Sequence, residues 1–305
     1  MLLPTVTITS QIPRCVACRD GGSARLPIGD NNPPFPMMPS DVPRWSIVTA
    51  TVAFVNQKGG VGKTTVTLGL ASAALAAGHR VLVVDLDPQA SATWVLGGDP
   101  DEVEHSTAEV LANGRSGSAA KAVIASSWGE QVDLVPASRR LQDSEISVGR
   151  EPSGRLARAL NGVGEDYELV LIDCAPSLGN LTRNGLAAAT HAIVVVEPAA
   201  LSLRGLGAVV DEIDAVWADA NPDLDMAGII VNKVPGVSAE ADRRYEELTR
   251  TVGKRAVWNP VVPSRVIVNQ ALADRQPVHA YGARAWDITQ AFDELYAKLR
   301  RTVRR

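Results

Sequence analysis

Gln57-Lys58-Gly59-Gly60-Val61-Gly62-Lys63-Thr64-Thr65 sits between an apolar, β-branched run from Thr51 to Asn56 and a stretch of helical spacing from Thr64 to Ala77. Strand, glycine-rich turn and helix in that order describe a phosphate-binding loop. Glycines let backbone N–H groups turn inward on phosphate oxygens, Lys63 neutralises charge at the β and γ positions, and the Thr64 hydroxyl is suited to ligate Mg²⁺. One position departs from the common pattern. Gln57 stands where a glycine is usual, and a second lysine, Lys58, precedes the glycine pair.

Outward from this loop, the chain alternates strand-like and helix-like signals, the pattern of parallel strands joined by crossover helices. Strands are expected at Thr51 to Asn56, Arg80 to Val84, Gln131 to Val135, Leu169 to Asp173, Ala192 to Val196 and Ala227 to Val231. Helices are expected at Thr64 to Ala77 with Gly78 as its stop, Thr107 to Ala112, Ala119 to Ser126, Ser153 to Leu160, Ser202 to Asp219, Glu240 to Val252, Arg265 to Ala273 and Arg284 to Arg301. The polar, Gly/Ser-rich residues 99–130 read as a variable insertion. The fold class that follows is α/β: a P-loop NTPase with a mostly parallel central sheet and helices on both faces.

A phosphate loop needs partners on neighbouring strand ends. Leu169 to Asp173 is an apolar strand ending in a carboxylate, from which an acid reaches Mg²⁺ or its waters. A second strand ends in Asp85-Leu86-Asp87-Pro88. Residues two apart share a face of an extended chain, so both carboxylates are expected toward the phosphates. Asp87, followed by a rigid proline, suits orientation of the attacking water, and Asp85 a hydrogen bond to the glycine loop. Asn232 ends a further strand, and its amide suits adenine recognition.

The 305 residues, 46% apolar, suffice for a large core. Residues 1–45 form a separate unit, with eight prolines and little periodic hydrophobicity, expected to be a disordered leader ahead of a P-loop domain over 46–305. Met37 and Met38 raise the alternative of a start near its end. Cys15 and Cys18 within it have no second ligand pair nearby and read as incidental. Three cysteines do not make a disulfide framework, which fits a reducing cytoplasm. No apolar run spans a bilayer. The net charge is −4, but residues 226–305 carry 14 Lys+Arg against 8 Asp+Glu, so this part is +6 and the remainder −10. A basic C-terminal third fits either a nucleic-acid face or a solvated helical surface. The histidines, His79, His105, His191 and His279, show no metal-ligand spacing and read as structural.

Three motifs, residues 56–65, Asp85-Leu86-Asp87-Pro88-Gln89-Ala90-Ser91-Ala92-Thr93 and Ile172-Asp173-Cys174-Ala175-Pro176-Ser177-Leu178, closely resemble the ParA/Soj group of deviant Walker-type ATPases, relatives of MinD. The resemblance implies a slow ATPase used as a switch, with ATP and Mg²⁺ as cofactors and a homodimer holding two nucleotides at its interface. Carried over by position, Lys63 contacts the β/γ phosphates and Thr65 approaches the α-phosphate. Gly59, Gly60, Val61 and Gly62 form the cradle, and Asn232 and Pro263 belong to the nucleotide pocket. Thr64, Asp87 and Asp173 serve the metal, with Asp173 acting through its waters. Lys58 crosses to the partner's nucleotide, and Lys58, Lys63 and Asp87 form the catalytic set.

The same resemblance implies non-specific DNA binding by basic residues of the C-terminal part, a nucleoid-associated location, and a ParB-like or other stimulating protein. Arg243, Arg244, Arg250, Lys254, Arg255 and Arg265 are the candidate phosphate contacts, with Arg300, Arg301, Arg304 and Arg305 on the tail. Two arginines of the family pattern are replaced here by Ser264 and Ile267.

A MinD-like membrane-switched ATPase is the alternative. Trp286, Phe292, Leu295, Tyr296 and Leu299 in the final helix are its only apolar stripe, better explained by packing on the core. A metabolic ATP-dependent enzyme of the same fold is a further alternative. Only Cys174 lies in the folded region to serve an iron–sulfur cluster, and the tyrosine cluster expected of a tyrosine kinase is absent.

Overall fold

The first described strand, β1 (Ala50–Val55), alternates its side chains between two cores. Val52 and Phe54 enter one, Ala53 and Val55 the other. A strand buried on both faces belongs at the centre of a layered α/β structure, and that is where the computed structural model, which describes residues 50–146, 154–199 and 202–304, puts it. The leader expected over residues 1–45, with Cys15, Cys18, Met37 and Met38, lies outside the described residues.

The remaining strands are β2 (Val81–Leu86), β3 (Ile124–Ala125), β4 (Val132–Val135), β5 (Leu169–Cys174), β6 (His191–Val196) and β7 (Asp225–Val231). They form one seven-stranded sheet in the order β3-β4-β2-β5-β1-β6-β7. Every neighbouring pair is parallel except β3 with β4.

One face carries α1 (Lys63–Ala76), α9 (Val266–Ala273) and α10 (Trp286–Val303). The other carries α3 (Thr107–Asn113), α5 (Arg155–Leu160), α6 (Asn180–Ala188), α7 (Ser202–Asp219) and the end of α8 (Ala239–Val252). Two short helices, α2 (Ser91–Val95) and α4 (Leu141–Ile146), complete the set. α10 reaches α1 closely because Gly69 has no side chain: a Cβ there would lie 2.1 Å from the Phe292 ring. Of the apolar positions in α10, Phe292, Leu295, Tyr296 and Leu299 are buried, while Trp286 is 66% exposed and does not join the core. Among the described residues, no helix is long and apolar enough to cross a membrane.

The sheet and the layering are as the sequence implies, with local differences. The helix expected at Ala119 to Ser126 is a 3-10 turn, Ser118–Ala122, followed by β3 running antiparallel to β4. Ile124 pairs with Leu134, so edge pairing overrides the local helical composition. The helix expected at Thr107 to Ala112 is present as α3, started by a capping box in which Ser106 and Glu109 exchange hydrogen bonds. α2, α4 and α6 have no counterpart among the expected elements.

Candidate nucleotide and switch site

The glycine loop closes over the carboxyl end of β1, where the strand order reverses and allows a crevice between β1 and β5. Its two ends are pinned. Asn56 donates from Nδ2 to the Val195 carbonyl at 2.6 Å and accepts from the Lys58 N–H at 2.9 Å, which sets the entrance. At the far side Gly62 caps α1 with φ 87° and ψ 40°, a left-handed conformation that favours glycine. Gly60 is also left-handed, with φ 80°. Beyond it, the unpaired N–H groups of the first turn of α1 point at the loop, giving a ready anion site.

Lys63 is 6% exposed, so its charge sits largely out of water. Burial lowers its pKa, and Asp173 and then Asp87 oppose that shift, which places the three groups in one electrostatic neighbourhood. Thr64 Oγ1 donates to Asp173 Oδ2 at 2.6 Å. Thr65 lies in the first turn of α1 and packs toward Val268 and Ala271 of α9.

Asp173 and Asp85 are register partners on adjacent parallel strands, both with no exposure. Burial pushes the Asp173 carboxyl well above the usual carboxylate range, and the charge of Asp85 adds to it. Asp85 is raised to about 6, first by burial, against the hydrogen bonds it accepts. Those bonds correct one expectation. Asp85 does not reach the glycine loop: it accepts from Thr93 Oγ1 at 2.7 Å, Thr93 N at 2.8 Å and Asp87 N at 3.0 Å. The cause is the turn at Ala90 (φ 52°), which folds α2 back over the end of β2 and brings Thr93 onto the carboxylate. Asp85 therefore holds the segment that carries Asp87. Asp87 is half-buried and its carboxylate accepts from Gln89 N at 2.9 Å, while burial raises its pKa.

The residues fit a magnesium–phosphate group. Asp173 Oδ1 is buried and has no hydrogen-bond partner. An orphaned buried acceptor costs on the order of 1–3 kcal/mol, and a metal-bound water would satisfy it. Thr64 would then ligate the ion directly, Asp173 would act through water, and Asp87 lies near enough to contribute charge. Bound Mg²⁺ supplies the positive charge that offsets the phosphates. Among the described residues, no group of three or more His, Cys, Asp or Glu could hold a metal unaided.

Asn232, 1% exposed, sits beneath the loop, with Nδ2 donating to the Val61 carbonyl at 2.9 Å and the Gly62 carbonyl at 3.4 Å. Its amide nitrogen thus serves the loop backbone. Pro263 bridges Val234 on the strand-like segment beside β7, at the same edge. Lys58 pairs with Glu197 of its own chain, immediately after β6. The candidate DNA contacts are also paired: Arg243 with Glu240, Arg244 with Glu240 and Glu247 at 2.8 Å each, and Arg265 with Asp287.

Asn56, Thr93, Glu197 and Lys233 are the site residues that sequence reasoning left without a role. Glu197 carried a usable signal, since it ends an apolar strand in the same way as Asp173.

The AAA domain family model matches residues 49–226. The chain is 41% identical over 240 residues to an uncharacterized protein of Mycobacterium tuberculosis, covering 77% of this chain and 70% of that one. It is 32% identical over 238 residues to the sporulation initiation inhibitor protein Soj of Bacillus subtilis, covering 77% and 92%. A crystal structure described as cobyrinic acid a,c-diamide synthase from Mycobacterium smegmatis, with bound ATP analog and magnesium, superposes with a TM-score of 0.71 at 32% identity, covering 83% and 94%. The glycine loop with its extra lysine, the hydroxyl–carboxylate pair beside it and these relatives agree: the chain belongs to the ParA/Soj/MinD superfamily of deviant Walker-type P-loop ATPases and is an ATP-hydrolysing enzyme that works with Mg²⁺.

Proposed function

We propose that this protein is a switch that dimerises on ATP, binds DNA without sequence preference to partition or position DNA or other cargo on the nucleoid, and is reset by slow hydrolysis stimulated by a partner protein. The observation that carries this reading is the placement of Lys58. It stands at the exposed corner of the loop beside Gly59 and Gly60, and its ammonium rests on Glu197. A lysine at that corner, once released from Glu197, neutralises a nucleotide held by a second subunit, which makes association report the γ-phosphate.

Within one subunit, Gly59, Gly60, Val61, Gly62, Lys63, Thr64 and Thr65 hold the phosphates, Asn232 supports that loop from beneath, and Pro263 belongs to the nucleotide pocket at the same sheet edge. Asp87 orients water, held in place through Asp85. Asp173 takes up the waters of the ion that Thr64 ligates. The similarity to Soj supports the switch class, and the basic C-terminal third supports DNA as the ligand.

The test is DNA binding and light scattering with ATP, ADP and no nucleotide, at several salt concentrations. ATP-dependent, salt-sensitive binding lost in Lys63→Ala is the expected result. Equal binding without nucleotide would overturn the switch. A second reading, a metabolic synthase of the same fold, draws on the likeness to the structure described as a diamide synthase. It predicts ATP turnover that depends on a small-molecule acceptor and ignores DNA.

A further inference from the structure

Two consecutive residues after β7 reach two consecutive carbonyls of the phosphate loop. Lys233 Nζ donates to the Gly60 carbonyl at 2.5 Å, and Asn232 Nδ2 to the Val61 carbonyl at 2.9 Å. In a trans peptide the C=O and the following N–H point in opposite directions. Holding the Gly60 oxygen away from the cradle therefore turns the Val61 N–H into it, and holding the Val61 oxygen does the same for the Gly62 N–H. These N–H groups are the ones a phosphate loop offers to its ligand.

The backbone shows that the arrangement is specified. Lys233 is a non-glycine residue with φ 56°, a conformation that disfavours an L side chain. It persists because both flanks are fixed: Asn232 N donates to the Val196 carbonyl at 2.7 Å, Val234 N to the Val262 carbonyl at 3.0 Å and Ser264 N to the Val234 carbonyl at 2.7 Å. Loop and clamp also fit each other. A Cβ on Gly62 would lie 2.1 Å from Asn232 Nδ2, so the glycine is required by this contact as well as by its own φ.

We propose that Lys233 is a positioning residue of the nucleotide site, which acts with Asn232 to fix the peptide planes of Gly60 and Val61 so that the loop is pre-formed for a β-phosphate. The proposal needs only nucleotide binding and is independent of dimerisation and DNA.

The test measures ADP and ATP dissociation constants by titration with fluorescent nucleotide analogues on the full chain, for the unmodified protein, Lys233→Met and Lys233→Arg. Thermal unfolding without nucleotide runs in parallel. Lys233→Met is expected to weaken ADP and ATP alike by about fivefold, the effect of one hydrogen bond. Its unfolding midpoint should not change, and Lys233→Arg, which can still donate to a carbonyl, should restore affinity. Unchanged ADP affinity in Lys233→Met would overturn the proposal. A loss confined to ATP would too, since it means direct contact with the γ-phosphate. So would a loss that arginine does not restore, or one accompanied by a lowered midpoint, which marks a folding role.

Discussion

Lys58 and Glu197 form an ion pair within one chain, linking the corner of the phosphate loop to the end of β6, with side chains 39% and 24% exposed. If Lys58 is to serve a partner's nucleotide, this pair must break first. Glu197 then competes with the second subunit for the same charge. Pairs of this exposure contribute up to about 1 kcal/mol, so Glu197→Gln should tighten the ATP-dependent dimer by about threefold. Lys58→Ala should prevent the dimer from forming. Sedimentation across a concentration series in ATP reads both, and an unchanged dimer constant in Glu197→Gln would make the pair incidental.

Gly59→Val separates holding ATP from using it. A Cβ on Gly59 meets only Pro176 Cβ, at an ordinary 3.7 Å, so one subunit has room for it. Gly59 is also exposed beside Lys58, where a second subunit would approach. The variant should bind ATP near normally and remain monomeric by light scattering. A normal ATP-dependent dimer would show that the loop corner is not the interface.

The basic C-terminal third is uneven. Arg243, Arg244 and Arg265 are paired with carboxylates, which reduces their attraction for phosphate. Arg250, Lys254 and Arg255 are exposed and have no salt bridge among the described residues. Replacing these three by alanine should weaken ATP-dependent DNA binding and lower the salt dependence by about one unit of slope for each contact removed. Arg243→Ala with Arg244→Ala should change the slope less. The reverse ranking in a salt titration would place the contact surface on the middle of α8.

The catalytic edge was legible because its residues are local: a glycine run between strand and helix, and carboxylates at strand ends, are patterns of adjacent positions. The sheet was legible for the same reason, since strands such as β5 and β6 are continuous apolar runs. What was not legible depends on contacts far apart in sequence. Asp85 is bound by Thr93 only because the chain turns at Ala90. Lys233 meets Gly60 across 173 residues. β3 exists only through its pairing with β4, and two residues carry no periodicity to read.

His79 makes the fold sensitive to mild acid. It lies between α1 and β2, with Nδ1 2.8 Å from the Tyr296 hydroxyl and Nε2 2.9 Å from Arg300 Nη1. Arginine only donates, so Nε2 must accept, and Nδ1–H donates to Tyr296. Burial lowers the His79 pKa, Arg300 and Arg304 of the C-terminal segment lower it further, and Glu168 before β5 opposes them. A depressed histidine means the unfolded chain takes up its proton first as pH falls. Stability contributed here is whole above the ordinary imidazole value of about 6.5, and is lost as pH falls from there through the lowered folded value. His191, also lowered by burial, acts with the same sign. Asp85 and Asp173, raised by burial, act with the opposite sign in the same range, so the comparison between variants is what isolates His79. His79→Gln can keep both hydrogen bonds without a titrating proton, so in denaturant unfolding it should match the unmodified protein near pH 8 and be the more stable of the two near pH 5. Equal stability of the two at both pH values would mean that α10 is not anchored through a neutral His79.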